Sequence, residues 1–158
     1  MKMLERLTAY LDQQQVFYSH TVHPLAYTAR EVARAEHMPE RKIAKTIVFL
    51  ADHHYEMAVL PADSIVDLQE LRLLMDMPHL RLASERELAE LFPDCELGAM
   101  PPFGNLFDMR THVDSSLSHE DEIAFNAGTH RDVIHMRHRD FARLVQPEVI
   151  SFARKAFV

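Results

Sequence analysis

Lys45-Thr46-Ile47-Val48-Phe49-Leu50-Ala51 and, after Asp52-His53-His54, Tyr55-Glu56-Met57-Ala58-Val59-Leu60-Pro61 decide the fold class. Each run has the length of an ordinary strand and is short for a buried helix, and Ile, Val, Phe and Tyr favour the pleated backbone. The polar residues between them form a hairpin connection, so the pair predicts two antiparallel strands side by side. The first strand begins on a charge. A lysine at the mouth of an apolar strand is costly unless its ammonium reaches solvent, a carboxylate or an anionic ligand.

Outward from the hairpin, Leu4, Leu7 and Leu11 recur at helical spacing and predict an amphipathic helix over 2–14. Residues 16–20 read as a short strand. Thr28 with Glu31, and Ser84 with Glu87, have the spacing of capping boxes opening helices that run to about 35 and 92. Pro39 starts a short helix leading into Lys45. Residues 67–75 are expected to be helical, with Leu68, Leu71, Leu74 and Met75 on one face. Further strands are expected over 79–83, 106–113, 122–126 and 133–136, and helices over 138–145 and 148–156. Strands in adjacent groups, without strict β-α-β alternation, predict an α/β protein of the α+β type. The expectation is a single domain over 1–158: a curled, mixed, mainly antiparallel β-sheet or barrel with helices packed outside.

Length and charge narrow the function classes. The 158 residues suit one domain with a real core. The single cysteine, Cys95, allows no internal disulfide and fits a reducing compartment. No apolar run approaches the roughly 18 residues of a membrane span, and residues 1–6 interleave charges with apolar side chains, so a cytoplasmic protein is expected. The net charge is −7 but uneven. Residues 51–125 carry four arginines against sixteen acidic groups, whereas residues 30–46 are +2 and residues 128–158 are +3. The net charge argues against generic nucleic-acid binding, and the pattern permits a modest, local RNA contact while excluding a histone-like mode. The candidate tRNA-binding residues on the basic segments are Arg30, Arg34, Arg41, Lys42, Arg131, Arg137 and Arg139.

Three segments carry candidate chemistry. Lys45 is expected to reach solvent, a carboxylate or an anionic ligand. Gly98-Ala99-Met100-Pro101-Pro102-Phe103-Gly104 is a stiff loop that shapes a pocket, and Ala127-Gly128-Thr129-His130 is a small polar turn that supplies a third wall. The eleven histidines form no recognisable zinc-ligand spacing, so neither metal nor cofactor is expected. Cys95 lies between Asp94 and Glu96, whose charges raise a thiol pKa, and Gly-x-Ser-x-Gly is absent.

Thr28-Ala29-x-Glu31-Val32-Ala33, Lys45-Thr46-Ile47-Val48-Phe49, Ala58-Val59-Leu60-Pro61-Ala62-Asp63, Leu82-Ala83-Ser84-Glu85, the Gly98–Gly104 loop and Phe125-Asn126-Ala127-Gly128-Thr129-His130 occur in that order. The ordered set resembles the YbaK family of aminoacyl-tRNA deacylases, whose domain is also inserted in bacterial prolyl-tRNA synthetases. The match runs from about His23 to about Leu144. The resemblance implies a free-standing, metal-independent trans-editing hydrolase that deacylates mischarged aminoacyl-tRNA carrying a small amino acid. It implies Lys45 as the catalytic residue. The substrate-binding set it implies is Thr21, His23, Thr46, Gly98, Ala99, Met100, Pro102, Gly104, Asn126, Gly128 and His130. Backbone N–H groups of Gly98 and Ala99 are the expected oxyanion donors. Thr21 stands where some members carry tyrosine and Asn126 where some carry serine; both bear on amino-acid specificity rather than reaction class. Aminoacyl-tRNA is the expected partner, with an aminoacyl-tRNA synthetase as a candidate second one and no membrane or DNA. The rival reading is a non-enzymatic module that binds a tRNA end or a small amino-acid ligand, or docks to a synthetase, through the same pocket.

Overall fold

In the computed structural model, which describes residues 2–156, the decisive hairpin is β2 (Ala44–Ala51) against β3 (His54–Pro61). Lys45 pairs with Leu60 and Val48 with Met57, and Asp52, at φ 54°, turns the chain between the strands. Glu56 through Pro61 are all buried, because β3 is the central strand of a five-stranded sheet and is covered on both faces. The remaining strands are β1 (Tyr18–Val22), β4 (Ser64–Val66), β5 (Arg81–Leu82), β6 (Thr111–Asp114), β7 (Glu122–Asn126), β8 (Asp132–Arg137), β9 (Glu148–Ile150) and β10 (Ala153–Lys155).

The large sheet has the order β5-β2-β3-β6-β9, with β3–β6 and β6–β9 parallel. A second sheet, β1-β8-β7, and a β10-β4 ribbon are antiparallel throughout. The expected mixed, mainly antiparallel architecture is present, but among the described residues the strands form three sheets rather than a closed barrel. One bridge, Ile43 to Ala124 in parallel, brings the second sheet to the start of β2. Lys45 on β2 and Asn126 at the end of β7 line the same cleft.

Helices α1 (Met3–Gln13), α2 (Ala29–Ala35), α3 (Leu68–Met75), α4 (Glu85–Leu91) and α5 (His138–Val145) cover these sheets. Met3, Leu7 and Leu11 of α1 are buried against Phe103, Phe125 and Phe141. Val32 and Ala33 of α2 pack on Ile43, Ala124 and Val133, which fixes α2 beside the junction of the sheets. Thr28 and Ser84 cap their helices as expected. At Ser84 the box is reciprocal, whereas the Thr28 hydroxyl, besides accepting from Glu31 N–H, meets the Glu31 carboxylate directly.

Several expected elements differ. Residues 148–156, read as a helix, are β9 and β10. Gln146 in the left-handed region ends α5, and residues 148–150 extend along β6. Of the strand expected over 106–113 only the end forms, because Gly104–Leu106 is a 3₁₀ turn and Asp108 has φ 55°. The strand over 79–83 shrinks to two residues, the first strand starts at Tyr18, and β4 was not foreseen. Leu71 enters the core from α3, but Leu74 is 46% exposed.

Asp114 explains the sharp turn between β9 and β10. Its buried carboxylate accepts hydrogen bonds from the backbone N–H of Phe152 (3.0 Å) and Ala153 (2.9 Å), and also from Ser116. Removing the carboxylate orphans these donors, so Asp114→Ala should lower stability by about 2–4 kcal/mol in urea denaturation. A loss below about 0.5 kcal/mol, the range of neutral surface changes, would show that the turn is held by other forces.

Candidate active site

Lys45 sits at the second position of β2, half-buried, on a cleft of about 270 Å³. The cleft is lined by Tyr27 and Ala29 ahead of and on α2, residues 44–48 of β2, Leu82 and Ala83, Leu88 of α4, Gly98 and Met100 of the loop, and Asn126 at the end of β7. No histidine, cysteine or carboxylate contributes to the described lining.

Charges around the ammonium are already matched elsewhere. Burial depresses the Lys45 pKa, the nearby Arg30 guanidinium adds to that, and Asp63 and Glu40 oppose it. Yet Glu40 pairs with Arg30 at 3.2 Å, and the Asp63 carboxylate is held by Lys155. Among the described residues Lys45 is therefore a half-buried cation with no carboxylate in ion-pair contact. Beside it, Thr46 Oγ1 and Asn126 Oδ1 are buried without any hydrogen-bond partner. Orphaned buried polar atoms cost about 1–3 kcal/mol each, and both lie on residues lining the cleft.

The wall opposite β2 is built by stitching two loops together. Glu96 N–H donates to Gly128 O (2.8 Å), Gly128 N–H to Ala99 O (2.9 Å), and Ala99 N–H to Glu96 O (3.0 Å). The Glu96 carboxylate accepts from His130 N–H, and the His130 ring donates from Nε2 to Leu97 O at 2.7 Å. That bond leaves Nδ1 as the bare nitrogen, buried and unpartnered. The Tyr27 ring lies 5.2 Å from the His130 ring, and a side chain added at Gly98 would touch His130 Cε1 at 3.8 Å. Gly98 has φ +83°, a conformation that glycine adopts without strain.

The structure thus gathers Lys45, Thr46, Gly98, Met100 and Asn126 around one cleft, with His130 directly behind Gly98. It does not bring the other candidates there. Ala99 is buried with its N–H committed to Glu96, so it is no oxyanion donor. Pro102 is buried outside the lining. Gly104 donates its N–H to Thr111 Oγ1 and has no room for a Cβ, which would approach that oxygen to 2.3 Å. Gly128, at φ +95°, abuts Met3 of α1, where a Cβ would come within 2.6 Å of the Met3 side chain. Thr21 donates to Glu36 at the end of α2, which also binds His135, and it is not among the residues lining the cleft. His23 is buried nearby, its Nδ1 bonded to Pro24 O and its Nε2 unpartnered.

The basic candidates are dispersed. Arg30 neighbours Lys45, Arg34 shares its helix, Lys42 precedes β2, and Arg131 follows His130. Arg41 pairs with Glu120 at 3.5 Å. Arg137 and Arg139 lie at the other end of β8, roughly 17–20 Å along the strand, where they line a separate polar cavity with Glu120 and Glu122. Cys95 has its pKa pushed up to about 12, chiefly by burial and then by Asp94. Tyr27, Leu82 and Leu88 are lining residues that sequence reasoning missed. An aromatic just ahead of the Thr28 cap was the available signal for Tyr27.

Comparisons with known proteins show the family. The family described as the aminoacyl-tRNA editing domain matches residues 23–144. Two Escherichia coli proteins, from strain K12 and from O157:H7, each named a multifunctional Ser/Thr-tRNA deacylase ProXp-y, are 30% identical over 157 residues, covering 96% of this chain and 93% of theirs. A solved structure described as a candidate trans-editing enzyme for prolyl-tRNA synthetase superposes with a TM-score of 0.85 at 22% identity, covering 98% of both chains, and supports the fold.

A lowered lysine pKa has a stability consequence. Between the folded pKa and the ordinary 10.5 the unfolded chain binds more protons, so stability rises with pH through that alkaline window. Below it, the charged ammonium burdens the fold. Lys45→Met should therefore be at least as stable as wild type at neutral pH in thermal melts. A clear loss of stability would return Lys45 to a structural role.

Proposed function

We propose, on the premise that this chain belongs to the aminoacyl-tRNA editing domain family, that it acts as a free-standing hydrolase on mischarged aminoacyl-tRNA carrying a small amino acid. In this reading the whole chain works as one editing domain in the cytoplasm, with aminoacyl-tRNA as its substrate and an aminoacyl-tRNA synthetase as the source of the mischarged species. No helix among the described residues is long and apolar enough to cross a membrane. The observation that carries the proposal is the unpaired Lys45 ammonium beside the orphaned Thr46 and Asn126 oxygens on a small, otherwise apolar cleft.

The substrate is an ester between an amino acid and the terminal ribose of tRNA. Lys45 holds the terminal phosphate and sets the ester at the cleft mouth, which reduces the entropic part of the barrier. The amino-acid side chain enters between β2 and the Gly98–Met100 wall. Water adds to the carbonyl, the oxyanion meets the Gly98 N–H, and the ribose oxygen leaves with a proton as a hydroxyl. The neighbouring ribose hydroxyl helps place the water.

Size and polarity then select the substrate. The Gly98–Met100 wall, with buried Met100 in it and the His130 ring behind Gly98, rejects large side chains by overlap, whereas a missing methylene changes discrimination by only about 1–3 kcal/mol. Rotated toward the cleft, the Thr46 hydroxyl and the Asn126 amide would give a hydroxyl-bearing side chain partners that alanine cannot use. The names of the E. coli relatives carry Ser and Thr, which fits that chemistry.

Charged tRNA incubated with substoichiometric protein separates an enzyme from a binding module: an enzyme turns over many equivalents, a binder protects or retains one. Ser-tRNA and Thr-tRNA should be hydrolysed fastest and large residues spared, and Asn126→Ala should narrow the gap between Ser-tRNA and Ala-tRNA. Lys45→Ala should cut the rate at least about tenfold, some 1.4 kcal/mol of transition-state stabilisation. Stoichiometric retention without turnover, or full activity in Lys45→Ala, would overturn the reading.

A further inference from the structure

The two carboxylates that act electrostatically on the Lys45 ammonium, Glu40 and Asp63, are each held by another cation, and the same short segment of chain touches both pairs. Asp63 follows Ala62, whose N–H donates to Ile43 O (2.9 Å) two residues before Lys45. Lys155 on β10 pairs with Asp63, whose carboxylate also accepts from Ser64 Oγ at 3.0 Å. The next residue, Ala156, donates its N–H to Asp63 O (2.9 Å), and its own carbonyl accepts from Arg30 Nη2 (3.5 Å). Arg30 in turn holds Glu40. Ribbon pairing fixes this arrangement, since Lys155 stands opposite Ser64 in the β10–β4 register and Asp114 turns the chain into β10.

We propose that Lys155 is a positioning residue for the deacylation, holding the Asp63 carboxylate so that the Lys45 ammonium stays free for the terminal phosphate of the substrate. The proposal rests on the deacylase reading. The charged groups around Lys45 are Arg30 from α2, Glu40 from the 3₁₀ turn, and Asp63 just past β3. A carboxylate fixed in the same molecule competes at a high effective concentration with a phosphate arriving from solution. With its charge answered by Lys155, Asp63 ceases to compete. The Lys155 side chain is 71% exposed, so the pair adds little to stability and its removal leaves the fold intact. Its value lies in which cation Asp63 chooses. No catalytic group needs to move for this to work; only the partner of one carboxylate changes.

The test is a set of full-length variants read in two ways. In Lys155→Met, Asp63 turns to Lys45, and kcat/KM on Ser-tRNA should fall about five- to tenfold, mostly through KM, as expected for one half-buried carboxylate competing for an ammonium. Lys155→Arg should remain near wild type. The double variant Lys155→Met with Asp63→Asn should recover most of the lost rate, which a merely structural role for Lys155 would not allow. The Lys45 Cε resonance, followed by NMR against pH without any substrate, should titrate at higher pH in Lys155→Met and return in the double variant. An unchanged Lys45 titration, or no rescue by Asp63→Asn, overturns the inference. Wild-type protein that fails to turn over charged tRNA while the Lys45 titration shifts as expected overturns the deacylase reading instead.

Discussion

A cation kept half out of water with no counter-ion of its own is the constraint around which this molecule is arranged. Lys45 enters the cleft because β2 begins there, and β2 is fixed by its pairing with the fully buried β3. The parallel bridge between Ile43 and Ala124 brings β7 to the start of β2, and Asn126 at the end of β7 lines the same cleft. Glu40 and Asp63, the acidic groups whose charges act on the ammonium, are engaged by Arg30 and Lys155. With both engaged, no carboxylate among the described residues is in ion-pair contact with the ammonium, which is what the proposed phosphate contact requires.

The same logic extends to the neutral groups. Thr46 Oγ1 and Asn126 Oδ1 are buried and unanswered, while backbone groups in the adjoining loops are bonded to one another. The Glu96–Gly128–Ala99 stitching makes the wall rigid, and the His130 ring behind Gly98 prevents it from yielding inward. Rigid apolar walls with a few unsatisfied polar atoms and one free charge are what a site needs to hold a small polar ester in a fixed pose.

Much of this was legible in the sequence, for identifiable reasons. The hairpin, α1, the two capped helices and β7–β8 rest on local signals of period, capping and turn chemistry, and each formed close to its expected place. The helix expected over 148–156 failed because its strands exist only through partners far away in sequence: β9 needs β6, and β10 needs β4 together with the Asp114 carboxylate. At the site, Lys45 announced itself as a charge on an apolar strand, and Gly98 as a glycine in a stiff loop. Gly104 and Gly128 carry the same letter for a different reason, close packing against Thr111 and Met3, which only three-dimensional contact reveals. The Lys155–Asp63 pairing was illegible for a related reason, since it joins residues 92 apart through strands the sequence did not signal.

The most direct measurement is a crystal structure with a non-hydrolysable amide analogue of seryl-adenosine bearing a 5′-phosphate. The account places the phosphate on the Lys45 ammonium, the serine hydroxyl against Thr46 and Asn126, and the carbonyl oxygen toward the Gly98 N–H, with Asp63 still on Lys155. An analogue seated elsewhere, or in this cleft with Lys45 turned away from the phosphate and paired to Asp63 or Glu40, would contradict it.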